Sequence, residues 1–398
     1  MEQQGNRLTA VVALMAVFTL AICFIIIGAV SEELKAGIGI DNAQLGSLVF
    51  ALFLTSMIVE LIIGPLVDKF GHRPLAIVGF LVTSGALFLL ANAGSMNAAL
   101  IACILLGVGA MSLNTVGNTL IPVVLFEGKD PARASNFGNA FFGLGYVLTP
   151  FLFSLFGRYD LDYRTGISIL AALVLLFLIV SFAARYPQVS TGFEFAMAIR
   201  LLKEGPVLIA ALALFCYVAL EVSMGTWIKP YMTDVFGGAS APQAVSNAGL
   251  VLTLFGVAMM VGRFLTSAVK NLTAIGTRVI AGAALVSILT LLLMVLVPTP
   301  VLGTLAVLVT GLAFAPIFPT VVGVTFAKYK PHLYGSIFGI IFAVGLLGGT
   351  FIPMIIGNLS SAATAEQFSP DALWIAVVMA AILFLLSLVI GRTKASQS

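Results

Sequence analysis

The sequence predicts an all-α membrane protein: twelve transmembrane helices in two pseudo-symmetric six-helix bundles, with the N- and C-termini in the cytoplasm. Three observations predict it. The 398 residues are 61% hydrophobic and only 9% charged. A soluble domain carries about 25% charged residues, so lipid is the expected solvent. Apolar runs of the length a bilayer needs recur along the whole chain. Lys and Arg are segregated between alternate loops.

The apolar runs lie near 8–30, 43–66, 74–94, 98–122, 135–157, 164–185, 206–228, 244–268, 277–298, 301–325, 336–358 and 371–391. The first is read as a retained helix rather than a signal peptide, because Ile22 is too large for the residue before a cut at Cys23 and a second span follows at once. The second holds one acid, Glu60, and stops at the charged turn Asp68-Lys69-Phe70-Gly71-His72-Arg73. Pro74 suits the start of the third, and Gly71 permits the tight reversal between them. The fourth carries Asn114 and Asn118, one turn apart, and the fifth Asn136 and Asn139, also on one face. A longer link, 186–205, follows the sixth. Its GFEFAMAIRLLKEG stretch is expected to lie along the interface as an amphipathic segment. The seventh run contains Glu221 and Trp227, and the eighth Arg263. Pro316 and Pro319 in the tenth, and Pro150 and Pro353 in the fifth and eleventh, are expected to mark kinks. Gly345–Gly349 should let the eleventh approach a neighbour closely. This gives an N-terminal bundle over 1–185, a linker over 186–205 and a C-terminal bundle over 206–398.

With the N-terminus inside, fourteen Lys and Arg fall in inner segments and four in outer ones, with Arg263 inside a span. The halves also echo each other. Gly145-x4-Pro150 recurs as Gly348-x4-Pro353, offset by 203, and the same offset maps Glu60 onto Arg263 and Gly64 onto Ser267. Gly107 and Gly311 are offset by 204. Two repeats around a central site are what an alternating-access carrier needs.

Gly64-Pro65-Leu66-Val67-Asp68-Lys69-Phe70-Gly71-His72-Arg73 resembles the signature loop of the major facilitator superfamily, G-x-L-x-D-[R/K]-x-G-[R/K]-[R/K]. His72 stands where that pattern has a fixed cation. The resemblance implies that Gly64, Asp68, Lys69, Gly71 and Arg73 form a cytoplasmic latch. Asp68 would face the start of helix eleven, where a helix N-terminus stabilises a carboxylate by about 0.3–1 kcal/mol. CYVALEVSMGTWIKPY (Cys216–Tyr231), GRFLT (Gly262–Thr266), APIFPT (Ala315–Thr320) and SNFGNAFFG around Asn136 and Asn139 resemble the fucose- and glucose-type sugar permeases of that superfamily. Two departures stand out. The first helix lacks the carboxylate common in that group, and Asn114 takes the place of its helix-four acid. Coupling must then use another acid, or transport is uncoupled or differently coupled.

Charges inside a span are costly and face a bundle interior or a watery cavity. Glu221 is a candidate to accept substrate hydroxyls or carry a proton; the alternative is a structural tie to a neighbouring helix. Trp227 would offer its face to a sugar ring or an organic cation, or serve as an interfacial anchor. Glu60 is either a second proton-coupling candidate or a brace for the signature loop's cations. Arg263 is expected to brace helix five against helix eight. Asn114, Asn118, Asn136 and Asn139 suit a neutral polyhydroxyl solute, and equally suit interhelical glue.

Several classes are disfavoured. Net charge is only +3, and no basic run interleaved with aromatics suggests nucleic acid. Cys23, Cys103 and Cys216 have no paired spacing, and both histidines fall in loops away from acidic clusters, so no metal or cofactor is expected. No phosphate-cradling loop or nucleophile–base pair suggests an enzyme. The expectation is a monomeric secondary transporter in the inner (plasma) membrane. It would move a small polar solute, a sugar or related metabolite, by alternating access, with protons as the candidate coupling ion. Efflux of amphipathic organic compounds is the alternative. The apolar face of the first helix favours efflux, while the separation of Gly145 from Pro150 disfavours it. A transport-dead sensor is a third reading.

Overall fold

A computed structural model describes residues 7–30, 34, 37–40, 42–158, 162–187, 200–238, 241, 244–363 and 368–391. Among these residues there is helix and no strand. The helices are α1 (Arg7–Ala29), α2 (Asn42–Phe70), α3 (His72–Ala91), α4 (Met96–Val124), α5 (Pro131–Arg158), α6 (Tyr163–Ala183), α7 (Gly205–Val235), α8 (Ala244–Ser267), α9 (Leu272–Leu296), α10 (a broken helix, Pro300–Phe314 and Ile317–Phe326), α11 (Tyr334–Ala363) and α12 (Trp374–Ile390). Among the described residues, eleven of these helices contain a stretch long and apolar enough to cross a membrane, and α5 is a further helix of 28 residues.

Local chemistry explains the boundaries. Gly71, at φ 81°, separates α2 from α3 in a conformation that favours glycine. Ser95 caps α4 by accepting from the Ala98 N–H, and Asp162 caps α6 by accepting from Arg164. The α10 break falls at Ala315-Pro316, since a proline removes a donor and crowds the preceding turn. Several helices outrun the apolar pattern. The second continues through Pro65 to Phe70 and the seventh through Pro230 to Val235. The fifth and ninth start at Pro131 and Leu272, four and five residues before the hydrophobic runs. The expected amphipathic segment falls largely on 188–199, outside the described residues.

The chain forms two compact units. One comprises Met1–Lys129, Phe141–Ile199 and Lys330–Gly339; the other comprises Asp130–Ala140, Arg200–Tyr329 and Ile340–Ser398. The start of α5 therefore groups with the C-terminal helices, and the start of α11 with the N-terminal ones.

The internal repeat appears as matched helix contacts. In the first unit, a Cβ on Gly107 of α4 would lie 2.8 Å from the Leu52 carbonyl of α2. In the second, a Cβ on Gly311 of α10 would lie 2.9 Å from the Phe255 carbonyl of α8. Leu52 and Phe255 are themselves 203 residues apart. Small residues let helices approach closely where lipid removes the hydrophobic drive to pack. Gly345, Gly348 and Gly349 do the same for α11 against Leu214, Phe215 and Val218 of α7.

Candidate functional site

The first unit holds a buried polar cluster between α2 and α4. Glu60 is fully buried. Its Oε1 accepts from the Thr115 hydroxyl at 2.9 Å, and its Oε2 from the Asn114 amide at 3.3 Å. Asn118, one turn further along α4, donates to the Asn114 Oδ1 at 2.9 Å and to its carbonyl at 3.0 Å. Spacing on α4 explains the register, since residues 114, 115 and 118 fall on one helical face. Asn114 and Asn118 are therefore linked to each other and to the acid. The two partners seen on Glu60 are neutral donors from α4.

The same unit contains the signature turn. Asp68 is 5% exposed. Its Oδ1 accepts from the Gly335 N–H at 2.8 Å; its Oδ2 accepts from the Ser336 N–H at 2.6 Å and hydroxyl at 2.5 Å. A carboxylate thus caps the first turn of α11, the arrangement that unsatisfied helix N–H groups and the helix dipole favour. Gly64 makes the approach possible, because a Cβ there would collide with the Gly335 carbonyl. Lys69 and Arg73 are exposed on either side of the turn. Lys69 lies over the Phe70 ring, 5.2 Å from its centroid.

The second unit holds an ion pair. Arg263 Nη2 of α8 lies 3.1 Å from Glu221 Oε1 of α7, with side-chain exposures of 4% and 29%. The guanidinium also donates to the Asn139 carbonyl of α5 at 3.3 Å and to the Tyr217 hydroxyl at 3.4 Å. Glu221 and Tyr217 are one turn apart on α7, so both meet the same cation. Tyr217 in turn packs among Phe314 and Phe318, and Phe318 against Phe342. Nearby, the Asn136 amide donates to the Ala132 carbonyl and to the Thr320 hydroxyl of α10, both at 2.9 Å. Its buried Oδ1 has no protein partner. The Asn139 amide donates to the Ser135 carbonyl at 3.1 Å.

Trp227 stands apart from the ion pair. Its indole N–H donates to the Pro353 carbonyl at 3.0 Å, and its ring stacks on Phe368 with centroids 5.4 Å apart. One ring face is thus covered by an aromatic side chain.

A second helix-end carboxylate is present in this unit. Asp130 Oδ1 accepts from the Arg133 N–H of its own helix at 3.2 Å. The same carboxylate accepts from the Leu272 N–H at 2.8 Å and from the Thr273 N–H and hydroxyl at 3.0 and 2.6 Å. One side chain therefore caps both α5 and α9. Arg133 Nε adds a bond to the Ser267 carbonyl at 2.8 Å. Sequence reading missed Asp130, although Asp followed by Pro131 is a recognisable N-cap with proline at the first helical position. It also missed Thr115, Thr320 and Ser336, whose hydroxyls look like ordinary packing residues until their partners are known. No group of three or more His, Cys, Asp or Glu able to hold a metal occurs among the described residues.

Apolar spans repeated in two sets, with ionisable groups buried in mid-helix, define a polytopic membrane carrier. The chain belongs to the Major Facilitator Superfamily, which it matches over residues 12–353; it is a transporter of that family and a multi-pass inner-membrane protein. It is 28% identical over 339 residues to a glucose/galactose transporter of Brucella abortus, covering 79% of this chain and 78% of that one. It is 24% identical over 286 residues, 72% of each chain, to an uncharacterized MFS-type transporter of Yersinia pestis. Among solved structures it is similar to FucP, the Escherichia coli fucose:proton symporter, in the outward conformation. That match has TM-score 0.78 and 17% identity, and covers 98% of this chain and 99% of that one. The proton:xylose symporter XylE aligns with TM-score 0.73 and 16% identity over 97% of this chain and 95% of its own.

Proposed function

We propose that this chain is a secondary active transporter for a sugar or a related small polar solute, working by alternating access with protons as the coupling ion. Both termini are read as cytoplasmic, the working unit as a monomer, and residues 1–185 and 206–398 as the two moving bundles joined by 186–205. The observation that carries the reading is the pair of buried clusters, Glu60 with Asn114 and Asn118, and Glu221 with Arg263 and Asn139. Each offers donors and acceptors together, as a polyhydroxyl solute requires. The paired charge of Arg263 with Glu221 favours a neutral solute over an acid. The similar transporters named for glucose/galactose, fucose and xylose support the same class.

Glu60 is assigned as the first proton-coupling candidate, because a fully buried carboxylate with two neutral donors is costly to ionise. Glu221 is the second. Asn114, Asn118, Asn136, Asn139, Glu221 and Trp227 are assigned to substrate contact. Trp227 becomes available when Phe368 leaves its face. Arg263 braces α5, α7 and α8. Gly64, Asp68, Lys69, Gly71 and Arg73 form a latch that alternating access must release, and Asp130 serves as its counterpart in the second unit.

Thermal unfolding of the detergent-purified protein against a ligand panel tests this. The panel holds D-glucose, D-galactose, deoxyhexoses, polyols, sugar acids and lipophilic cations. A ligand at about 100 times its Kd should stabilise by about 2.7 kcal/mol. A shift with one sugar, lost in Glu221→Gln or Asn139→Ala, is the expected result. The aromatic surround of Tyr217 keeps efflux of amphipathic compounds as the second reading, and a shift with lipophilic cations alone would establish it instead.

A further inference from the structure

The Glu60 cluster continues along α4 toward the signature turn. Thr119 lies one turn beyond Thr115 and is fully buried, as Thr115 is. Its hydroxyl donates to the Thr115 carbonyl at 2.6 Å and sits 3.0 Å from His72 Nε2. The two threonine hydroxyls thus occupy one face of α4, with the Glu60 carboxylate at one end and the His72 imidazole at the other. His72 in turn lines an open cleft of about 530 Å³, together with Phe70, Arg73, Arg185 and Tyr186. Tyr186 feels this setting: burial raises its phenol above the ordinary value, while the Ser181 hydroxyl and the Arg73 charge pull the other way. A buried acid, two aligned hydroxyls, an imidazole and an open cleft therefore follow one another within a single compact unit.

We propose that Thr115, Thr119 and His72 form the proton path between Glu60 and the solvent of the signature-loop cleft. The inference rests on the reading of Glu60 as a coupling acid. The Glu60 carboxylic O–H breaks, and its proton passes to the Thr115 hydroxyl as that hydroxyl gives up its own. Residues i and i+4 of a helix have Cβ atoms roughly 5–6 Å apart, a gap that one water bridges with two hydrogen bonds. Through that water the proton reaches Thr119, whose hydroxyl turns from the Thr115 carbonyl toward Nε2. His72 becomes imidazolium and releases a proton from Nδ1 to water in the cleft. Glu60 is left as carboxylate, held by the Thr115 hydroxyl and the Asn114 amide, and one proton has left the protein. The reverse sequence loads the acid. His72 suits this role because imidazole accepts at one nitrogen while donating from the other. The guanidinium or ammonium expected at this position of the signature pattern could not.

The test uses the full chain in proteoliposomes, with D-galactose and D-glucose as solutes. Solute-driven proton uptake is read with an interior pH dye, and solute exchange at equal concentrations is read in parallel. Exchange moves no net proton, so it reports folding and substrate binding without the path. Wild type should take up protons with solute, and Glu60→Gln should abolish this. Thr119→Val and His72→Gln should slow proton-coupled uptake about tenfold or more, since a positioned proton-transfer group contributes typically about 10²–10⁴-fold. Exchange should persist. Thr119→Ser, which keeps the hydroxyl, should restore coupled uptake. His72→Gln keeps a hydrogen-bonding group beside Thr119 without a titratable proton, so a packing role alone would leave it active. Wild-type coupled rates in both Thr119→Val and His72→Gln, with Glu60→Gln inactive, would overturn the path while coupling at Glu60 stands. Loss of exchange in parallel with coupled uptake would also overturn it, by showing a structural role. No solute-driven proton movement in wild type, alongside working exchange, would remove coupling itself and the path with it.

Discussion

Replacing Asp68 by asparagine keeps the shape of the side chain and removes its charge. In the structure three donors converge on that carboxylate: the N–H groups of Gly335 and Ser336 and the Ser336 hydroxyl. An asparagine has one acceptor oxygen and turns an NH2 group toward the remaining donors. Hydrogen bonds to a charged group contribute about 1.5–3 kcal/mol each and neutral ones about 0.5–1.5. One bond weakened, at least one lost, and a helix-dipole contribution of about 0.3–1 kcal/mol removed would total about 3–5 kcal/mol. The amide is also cheaper to bury than a carboxylate, which offsets part of this and leaves about 2–4 kcal/mol. At about 1.4 kcal/mol per factor of ten, opening of the contact becomes roughly 30- to 1,000-fold easier.

Two assays read that number. Hydrogen exchange over the peptide containing Gly335 and Ser336 should accelerate within that range in Asp68→Asn, while peptides from α9 keep their wild-type rates. Initial uptake in proteoliposomes should slow, because a carrier that lives mainly in one state cycles poorly. Expression should remain near wild type and the helices intact, since the change falls at the end of one helix, although melting should fall modestly. Unchanged exchange at Gly335 and Ser336 together with unchanged uptake at normal expression would refute the latch.

Arg263→Ala should lower melting temperature and folded yield, since breaking a buried pair costs about 3–5 kcal/mol; normal yield with lost uptake would move Arg263 from bracing to substrate contact. Asp130→Ala removes the cap from two helices at about 1 kcal/mol each, so exchange at Leu272 and Thr273 should rise and melting should fall. Gly348→Val drives a side chain into the Phe215 carbonyl and should destabilise by about 1–3 kcal/mol in chemical denaturation. Gly225→Ala on α7, where a Cβ meets nothing within 4 Å, should be neutral or slightly stabilising by the same measurement.

The fold was readable because lipid imposes a length and a composition that few other environments demand. Every apolar run has a helix, and the proline pair of α10 marks its break. Helix ends were less readable. In α2 and α7 the helix outlasts the apolar stretch, because the acids beyond it find partners in the fold: Asp68 accepts from Gly335 and Ser336, and Asp234 from the Phe368 N–H. The polar groups inside the spans were readable as residues but not as pairs. Glu221 and Arg263 each stood out as a charge in oil. Their pairing depends on α7 and α8 presenting the correct faces, which apolar periodicity in a two-sided environment does not reveal. Thr115 is harder still, since many helix threonines here, such as Thr19, Thr149 and Thr325, simply bond to the carbonyl one turn back. Only the position of Glu60 on the neighbouring helix distinguishes it.

The repeat itself shows where such inference fails. Adding 203 to Asp68 leads to Asn271, so a strict repeat would place the second helix-end acid there. Asn271 instead takes a left-handed backbone, φ 58°, and makes no side-chain cap. The acid of the second unit is Asp130, at the start of α5 rather than the end of α8. In the first unit the carboxylate belongs to α2 and the capped helix is α11; in the second the carboxylate belongs to α5 and the capped helix is α9. What the halves share is a buried carboxylate closing a helix N-terminus. A helix end presents several unsatisfied N–H groups to whatever lies beside it, so the acid can come from either adjoining segment without losing the contact. The contact fixes the geometry and leaves the position of the acid free, whereas a close helix approach needs its glycine at one place, so the glycines carry the repeat in the sequence and the two carboxylates do not.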